Sequence, residues 1–235
     1  MAKYHDIAAV LAKKIVEGDY RKVKKLPTEK ELMEQFQASR NTIRSAISLL
    51  SDQGYTYQVR GSGIYIKEIN FDNSVNLNVV KGMTSEFREK VNQSKLLELK
   101  SIEADQELAE LFGISKGDLL YYVKRIRYLD KEPIRVEMTY YRQDIIPYLG
   151  KDIVEHSIYD YLTENLGLQI GFADRQISAD YLSEEHAGYL KLGTQDPCLR
   201  IKEKTYLTNG QLFAVATGIL HFQKITLFAS GKVFE

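Results

Sequence analysis

The chain has 235 residues, of which 44% are hydrophobic and 27% charged, an ordinary globular composition that is long enough for two domains. Its one cysteine, Cys198, excludes an internal disulfide and a metal site built from several thiolates. No apolar run approaches the ~20 residues that a membrane-spanning helix needs, and the N-terminus lacks the apolar core of a signal peptide. We therefore expect a cytoplasmic protein.

The net charge is zero, but the charges are unevenly distributed. Residues 1–70 contain 12 Lys and Arg against 8 Asp and Glu, whereas the remaining residues contain 20 against 24. A basic first part followed by a mildly acidic second part indicates a polyanionic partner for the first part.

Three helices are predicted at the start of the chain. Apolar residues at positions 4, 7, 8, 11 and 15 follow helical spacing, and Gly18 should end this first helix. Thr28 and Glu31 have the spacing of a capping box, which predicts the start of a second helix. Ser39 can cap a third helix, whose buried stripe consists of Ile43, Ala46, Ile47 and Leu50. Its outward face carries Arg40, Asn41, Arg44 and Ser48.

Two aromatic and β-branched runs, "YTYQV" and "IYIKE", bracket the turn sequence "RGSG" and predict a hairpin. Helices in tandem followed by a hairpin are typical of a winged helix-turn-helix, whose third helix enters the major groove of DNA. The arginines of that helix suit base edges or phosphates, and Arg60 suits the DNA backbone or minor groove. The alternative is that these arginines are solvated surface charges and that "RGSG" is an ordinary turn.

A second domain is predicted after an asparagine-rich segment without helical periodicity. We predict a winged helix-turn-helix domain at residues 1–68, a linker at 69–80 and a second domain at 81–235. In the second domain, strand patterns alternate with short helix patterns, and tight turns such as Asn209-Gly210 imply antiparallel pairing. The predicted fold class is therefore α+β, with an antiparallel sheet in the second domain.

Arg125 and Arg127 are two residues apart in a predicted strand, so both should lie on one face of the sheet. An anion between them would relieve their mutual repulsion. The alternative is that both are solvated or paired with Glu103 or Glu137. A three-residue turn would place Glu137 opposite Arg125, whereas a two-residue turn would place Val136 there.

Enzymatic chemistry finds little support in the sequence. The four histidines, His5, His156, His186 and His221, have no metal-ligand spacing, and no serine lies in a nucleophile elbow. We therefore expect no catalytic residues, no metal site and no cofactor.

The segment "LPTEKELMEQFQASRNTIRSAISLLSDQGYTYQVRGSGIYI" resembles the GntR family of bacterial transcription regulators. The segments "YYVKRIRYLDKEPIRVEMTYY" and "HSIYDYLTENLG" resemble the UTRA effector-binding domain of the HutC subfamily, whose fold is similar to that of chorismate lyase. The resemblance implies a homodimer that binds a two-fold symmetric DNA operator and responds to a small metabolite. It implies a repressor more than an activator.

The resemblance also assigns site residues. DNA contacts fall on Lys30, Ser39, Arg40, Asn41, Thr42, Arg44, Arg60, Gly61, Ser62 and Gly63. Contacts to an anionic effector fall on Met83, Thr84, Arg125, Arg127, Glu137, Ser157 and Tyr159. Sugar phosphates are the leading class of effector.

One departure from the family pattern lies near the C-terminus. Ala214 stands where a ligand-binding glutamate is common, and Leu220 stands roughly where a tyrosine is. The uncharged part of the effector must therefore be recognised differently or be different. Two other hypotheses stay open: a constitutive DNA-binding dimer without an effector, and an enzyme that uses the lyase-like cavity.

Overall fold

The computed structural model describes residues 3–68, 74–80 and 93–231. These residues form two compact units. The first unit combines the described residues up to Val79 with those from Leu227 onward, and the second runs from Val80 to Thr226. Within the described ranges, no helix is long and apolar enough to cross a membrane.

The first unit contains the predicted winged helix-turn-helix. Its helices are α1 (Lys3–Glu17), α2 (Glu29–Phe36) and α3 (Arg40–Asp52), and its hairpin consists of β1 (Thr56–Val59) and β2 (Gly63–Ile66). The capping box is confirmed: the Thr28 amide donates to Glu31 Oε2 at 2.7 Å, and the Glu31 amide donates to Thr28 Oγ1 at 3.3 Å. The centre of the core is formed by Leu11, Leu32, Ile43 and Leu50, all fully buried.

The second unit contains a six-stranded antiparallel sheet, which confirms the α+β fold class. Its strands are β4 (Gln93–Glu103), β5 (Leu119–Leu129), β6 (Glu132–Arg142), β7 (Ile170–Tyr181), β8 (Pro197–Leu207) and β9 (Leu212–His221). The order across the sheet is β4-β5-β6-β9-β8-β7. Its helices are α4 (Gln106–Phe112), α5 (Lys151–Glu155), α6 (Ile158–Asp160) and α7 (Glu184–Leu190), with a π-helical turn at Tyr161–Asn165.

Helices cover both faces of this sheet. On one face, Val154 of α5 and Ile158 of α6 pack against Val123 and Tyr141. On the other face, α7 packs against strand residues that include Cys198, which is buried as a small apolar side chain. Residues 152–167, "DIVEHSIYDYLTENLG", have the apolar spacing of a single helix, but the helical segment is interrupted at His156, whose backbone leaves the helical region at φ −108° and ψ −129°.

The β5–β6 hairpin resolves the register left open by the sequence. Its turn has two residues, Asp130 and Lys131, both with positive φ, as a tight hairpin turn requires. A β-bulge next to Arg127 then shifts the pairing by one residue, so that Arg125 lies opposite Glu137. The hairpin thus combines a two-residue turn, which was expected to place Val136 opposite Arg125, with the pairing of Glu137 and Arg125 that was expected from a three-residue turn.

A short ladder joins two distant parts of the chain within the first unit. β3 (Ser74–Asn76) pairs with β10 (Thr226–Phe228), and the Leu77 amide donates to the Phe228 carbonyl at 2.8 Å. The Asn76 amide nitrogen donates to the carbonyl of Gln53, the residue that ends α3, at 3.0 Å. This grouping differs from the sequence-based boundaries, which assign residues 74–79 to a linker and the C-terminal segment to the second domain.

Candidate nucleic-acid interface and anion site

The start of α3 is fixed by Ser39. Its hydroxyl accepts from the Thr42 amide at 3.2 Å and lies 2.9 Å from the Thr42 hydroxyl. Both hydroxyls therefore hold the first turn of the helix in place. Arg40 and Asn41, in that first turn, are exposed to solvent, as is Lys30 on α2.

Two arginines of α3 share one carboxylate from α2. Glu29 lies 3.0 Å from Arg44 Nε and 3.6 Å from Arg40 Nε, and the two arginine side chains are 62% and 64% exposed. Ion pairs this exposed are weak, so a DNA phosphate can exchange for the carboxylate. The predicted DNA-facing arginines are thus on one helix face and oriented by Glu29.

The tip of the β1–β2 hairpin consists of Arg60, Gly61 and Ser62, all exposed. Gly61 has φ +74° and Gly63 φ +133°, values that favour glycine. A Cβ on Gly63 would lie 2.4 Å from Lys25 Cε, and Lys25 Nζ donates to the Ser62 carbonyl. Lys25 thus adds a positive charge to the wing that sequence reasoning missed, because its position depends on packing against the hairpin.

The predicted anion site lies on the sheet face that α5 and α6 cover. Arg125 Nε donates to Glu137 Oε2 at 2.9 Å, and Arg125 Nη1 donates to the Val154 carbonyl at 2.8 Å. Arg127 Nη1 donates to Ser94 Oγ at 2.8 Å. Both arginines are buried, at 6% and 2% exposure, so they are not solvated, whereas the alternative that an arginine pairs with Glu137 is confirmed for Arg125.

A third arginine, Arg135, joins this group. It lies directly opposite Arg127, is 8% exposed, and its Nη2 lies 3.1 Å from Glu137 Oε1. Gly218 of β9 makes room for it, since a Cβ there would lie 2.5 Å from Arg135 Nε. Sequence reasoning missed Arg135, although its spacing of two from Glu137 already places both on one sheet face.

The electrostatics of the cluster are strongly perturbed. Burial raises the pKa of Glu137, but the charges of Arg135 and Arg125 outweigh it and bring the pKa down to about 2. Burial lowers the pKa of Arg125, and the Glu137 carboxylate more than offsets this. Burial, followed by the charge of Arg125, lowers the pKa of Arg127 to about 9. The fold therefore disfavours the charged form of Arg127.

Tyr159 and Ser157 come from the interrupted helical segment. Burial and then the charge of Glu203 raise the pKa of Tyr159, and Glu137 contributes in the same direction. The phenol of Tyr159 is therefore within electrostatic reach of Glu137, another residue of the predicted anion site. The Ser157 hydroxyl accepts from the Asp160 amide at 3.2 Å and caps α6. Met83 and Thr84 lie outside the described residues.

The described residues contain no group of three or more His, Cys, Asp or Glu that could hold a metal ion. Guanidinium groups are instead clustered in two places, one in each unit. On the first unit they are exposed on a helix and a hairpin tip, as nucleic-acid contacts need. On the second unit they are buried around one carboxylate, as a small-anion site needs.

Two family models match the chain. Residues 3–66 match the bacterial regulatory proteins of the gntR family, and residues 88–233 match the UTRA domain. The chain is 38% identical to the uncharacterised HTH-type transcriptional regulator YydK of Bacillus subtilis, over 91% of this chain and 90% of that protein. The crystal structure of YydK covers 99% of this chain with a TM-score of 0.80, at 33% identity and over its whole length.

Two further relatives are named as repressors. The transcriptional repressor NagR of Bacillus subtilis is 27% identical, over 95% of this chain and 92% of the relative. The mannosyl-D-glycerate transport/metabolism system repressor MngR of Escherichia coli is 29% identical, over 97% and 96%. These proteins are transcriptional regulators and not enzymes. The chain belongs to the GntR family of bacterial regulatory proteins, as a member in which a UTRA domain follows the DNA-binding domain.

Proposed function

We propose that this GntR-family regulator is a cytoplasmic homodimeric repressor whose affinity for a two-fold symmetric operator is controlled by a small anionic metabolite of the sugar phosphate class. Residues 1–68 would supply the DNA-binding domain, and the six-stranded sheet of the second domain would bind the metabolite. NagR and MngR, both named as repressors, support the direction of regulation, and the name of MngR supports a link to carbohydrate metabolism.

The observation that carries the proposal is the buried cluster of Arg125, Arg127 and Arg135 around Glu137. Arg127 and Arg135 lie directly opposite each other on neighbouring strands, so both can approach one bound anion. A phosphate group accepts several charge-assisted hydrogen bonds at once and suits guanidinium donors on neighbouring strands.

DNA binding is proposed through the residues that the resemblance assigns on α3 and the wing. Arg40, Asn41 and Arg44 are exposed on one helix, and Arg60 is exposed at the hairpin tip. Two copies must present their third helices at a fixed helical phase of the DNA. A metabolite that changes the spacing between the two copies would therefore change operator affinity, to the extent that it binds one spacing better.

The anion site is tested with Arg127→Met. Methionine keeps a side chain of similar length but removes the guanidinium group, and circular dichroism checks that the variant folds. Inorganic phosphate and sugar phosphates stabilise the wild type in a thermal-shift titration and should no longer stabilise the variant. Arg142→Met is the matched control, because Arg142 lies in β6 and pairs with Asp144 instead. An undiminished response in Arg127→Met contradicts the site.

The DNA interface is tested with Arg44→Ala. A loss of about 1–3 kcal/mol on operator DNA, with a smaller loss on random duplex, is expected if Arg44 reads a base. An equal loss on both would make Arg44 a phosphate contact. If sugar phosphates bind but leave operator affinity unchanged, the protein is the constitutive DNA-binding dimer instead.

A further inference from the structure

The residues that precede α2 extend the sheet of the wing beyond its hairpin. Lys25 forms an antiparallel bridge with Tyr65 of β2, and the Leu26 amide donates to the Ile64 carbonyl at 2.9 Å. Tyr65 in turn lies directly opposite Tyr57 of β1. Because residues opposite each other on neighbouring strands point to the same side, Lys25, Tyr65 and Tyr57 form one row. Leu26 and Ile64, their chain neighbours, belong to the core of the first unit, so the row lies on the outer face of the wing.

Polar groups of this row meet those of the hairpin tip. Lys25 Nζ donates to the Ser62 carbonyl and lies 5.4 Å from the centre of the Tyr65 ring. The Tyr65 hydroxyl lies 2.6 Å from Ser62 Oγ, and the Tyr65 ring stacks on that of Tyr57 with their centres 5.6 Å apart. One ammonium group and two hydroxyl groups are therefore gathered around Ser62.

These groups keep hydrogen-bond donors for a ligand. A lysine ammonium carries three N–H groups, of which the Ser62 carbonyl takes one. Of two hydroxyls that bond each other, one donates and the other keeps its hydrogen for a further acceptor. Within the described ranges of the chain, no carboxylate pairs with Lys25, whereas the neighbouring Lys24 pairs with Glu68.

We infer that Lys25, Ser62 and Tyr65 form a binding site for one phosphate of duplex DNA. A phosphate accepts hydrogen bonds from all three side chains, and the ammonium group supplies the opposite charge. Arg60 is exposed at the same tip, which favours a polymer with regularly spaced charges over a single free anion.

The inference rests on the proposed contact between the wing and DNA, and it adds Lys25 and Tyr65 to that contact. Lys25 lies three residues before Thr28, which caps α2, so a phosphate bound here is joined to the start of α2 as well as to the wing. Such a contact fixes the position of the wing on the duplex and reads no base.

The test measures binding of the full-length protein to a random-sequence DNA duplex by fluorescence anisotropy at several salt concentrations. Lys25→Met should weaken binding about threefold to tenfold. The plot of log affinity against log salt concentration should become shallower by about 0.9 for each wing on the duplex, because one fewer counterion is released.

A second variant combines Ser62→Ala with Tyr65→Phe, since either hydroxyl alone could still donate to the phosphate. It keeps the ring stack and should weaken binding about threefold. The salt dependence should stay unchanged, because a neutral hydroxyl releases no counterion. This variant decides the matter if Lys25→Met does not fold, as judged by circular dichroism.

Lys24→Met is the matched control, because it removes the same charge from the neighbouring residue, whose ammonium group pairs with Glu68. It should keep the wild-type affinity and salt dependence. Lys25→Arg keeps the positive charge and should also keep the wild-type salt dependence.

The inference is overturned if Lys25→Met binds the duplex as Lys24→Met does, or if the variant without both hydroxyls binds as tightly as wild type. It is also overturned if Lys25→Met loses affinity with an unchanged salt dependence, because Lys25 then only holds the wing in place. Failure of the proposed DNA interface looks different, since Arg44→Ala and Arg60→Ala then leave duplex binding unchanged as well.

Discussion

Replacing Glu137 by glutamine should reveal how strongly the arginine cluster depends on its carboxylate. The pKa of Glu137 falls from 4.5 to about 2 in the fold, which corresponds to roughly 3 kcal/mol of stabilisation at 1.36 kcal/mol per unit. Glu137→Gln should therefore lose about 3 kcal/mol at pH 7, in the range expected for breaking a buried ion pair.

The pH dependence separates this electrostatic loss from a packing defect. Because the pKa is lowered on folding, the stabilisation is fully present well above pH 4.5 and is lost as the pH falls towards 2. The difference between wild type and variant should shrink from roughly 3 kcal/mol at pH 7 to roughly 1.5 kcal/mol at pH 3.

Urea unfolding followed by circular dichroism at several pH values measures this difference. The buffers must contain chloride and no phosphate or sulfate, since those anions could occupy the site. Glu132→Gln is the matched control in the same strand, because its half-exposed carboxylate accepts from Lys224 at 2.8 Å and should have a much smaller effect. A difference for Glu137→Gln that stays constant between pH 7 and pH 3 would refute the reasoning.

Three further predictions concern the first unit. Ser39→Ala removes the cap of α3 and should lower the free energy of unfolding in urea by about 1 kcal/mol. Ser48→Ala, on the exposed face of the same helix, should lower it much less. Equal losses for the two variants would show that Ser39 does not act as a cap. Glu29→Gln frees both arginines of α3 and should tighten binding to random duplex DNA about threefold at low salt, as measured by fluorescence anisotropy; no change would show that the ion pairs do not compete with phosphate. Asn76→Ala removes the bond to Gln53 and should cost about 1–3 kcal/mol. Hydrogen exchange should then show lower protection in α3 and β10, and a loss confined to the six-stranded sheet would contradict this.

Local signals explain why most of the fold was predictable. The caps at Thr28, Ser39 and Asp105 each act within three residues, so the helix starts follow from the sequence alone. The strands of the second unit are long and rich in β-branched and aromatic residues. The exception is the helix over residues 152–167, where the apolar periodicity continues across a break at His156 that the pattern does not signal.

The candidate anion site was only partly predictable, because it depends on register. Arg125 and Arg127 share a face by spacing alone, but the bulge in the β5–β6 hairpin determines that Glu137 and Arg135 lie opposite them. A bulge adds one residue and reverses the face of everything beyond it, and no residue in this hairpin marks its position. The arginines in the sequence therefore indicated an anion site, whereas the position of the bulge determines which other side chains lie beside them.

The C-terminal strand also limits how a ligand signal can travel in the proposed regulator. β9 places Gly218 against Arg135 and ends at His221, and β10 begins at Thr226 within the same stretch of chain. β10 pairs with β3, whose Asn76 bonds the carbonyl of Gln53 at the end of α3. In the proposed regulator, a displacement of β9 that passes along the chain to β10 would reach the C-terminal end of α3 through Asn76. Arg40, Asn41 and Arg44, which are proposed to face DNA, lie towards the other end of the same helix, so a signal that acts on them would have to pass through α3.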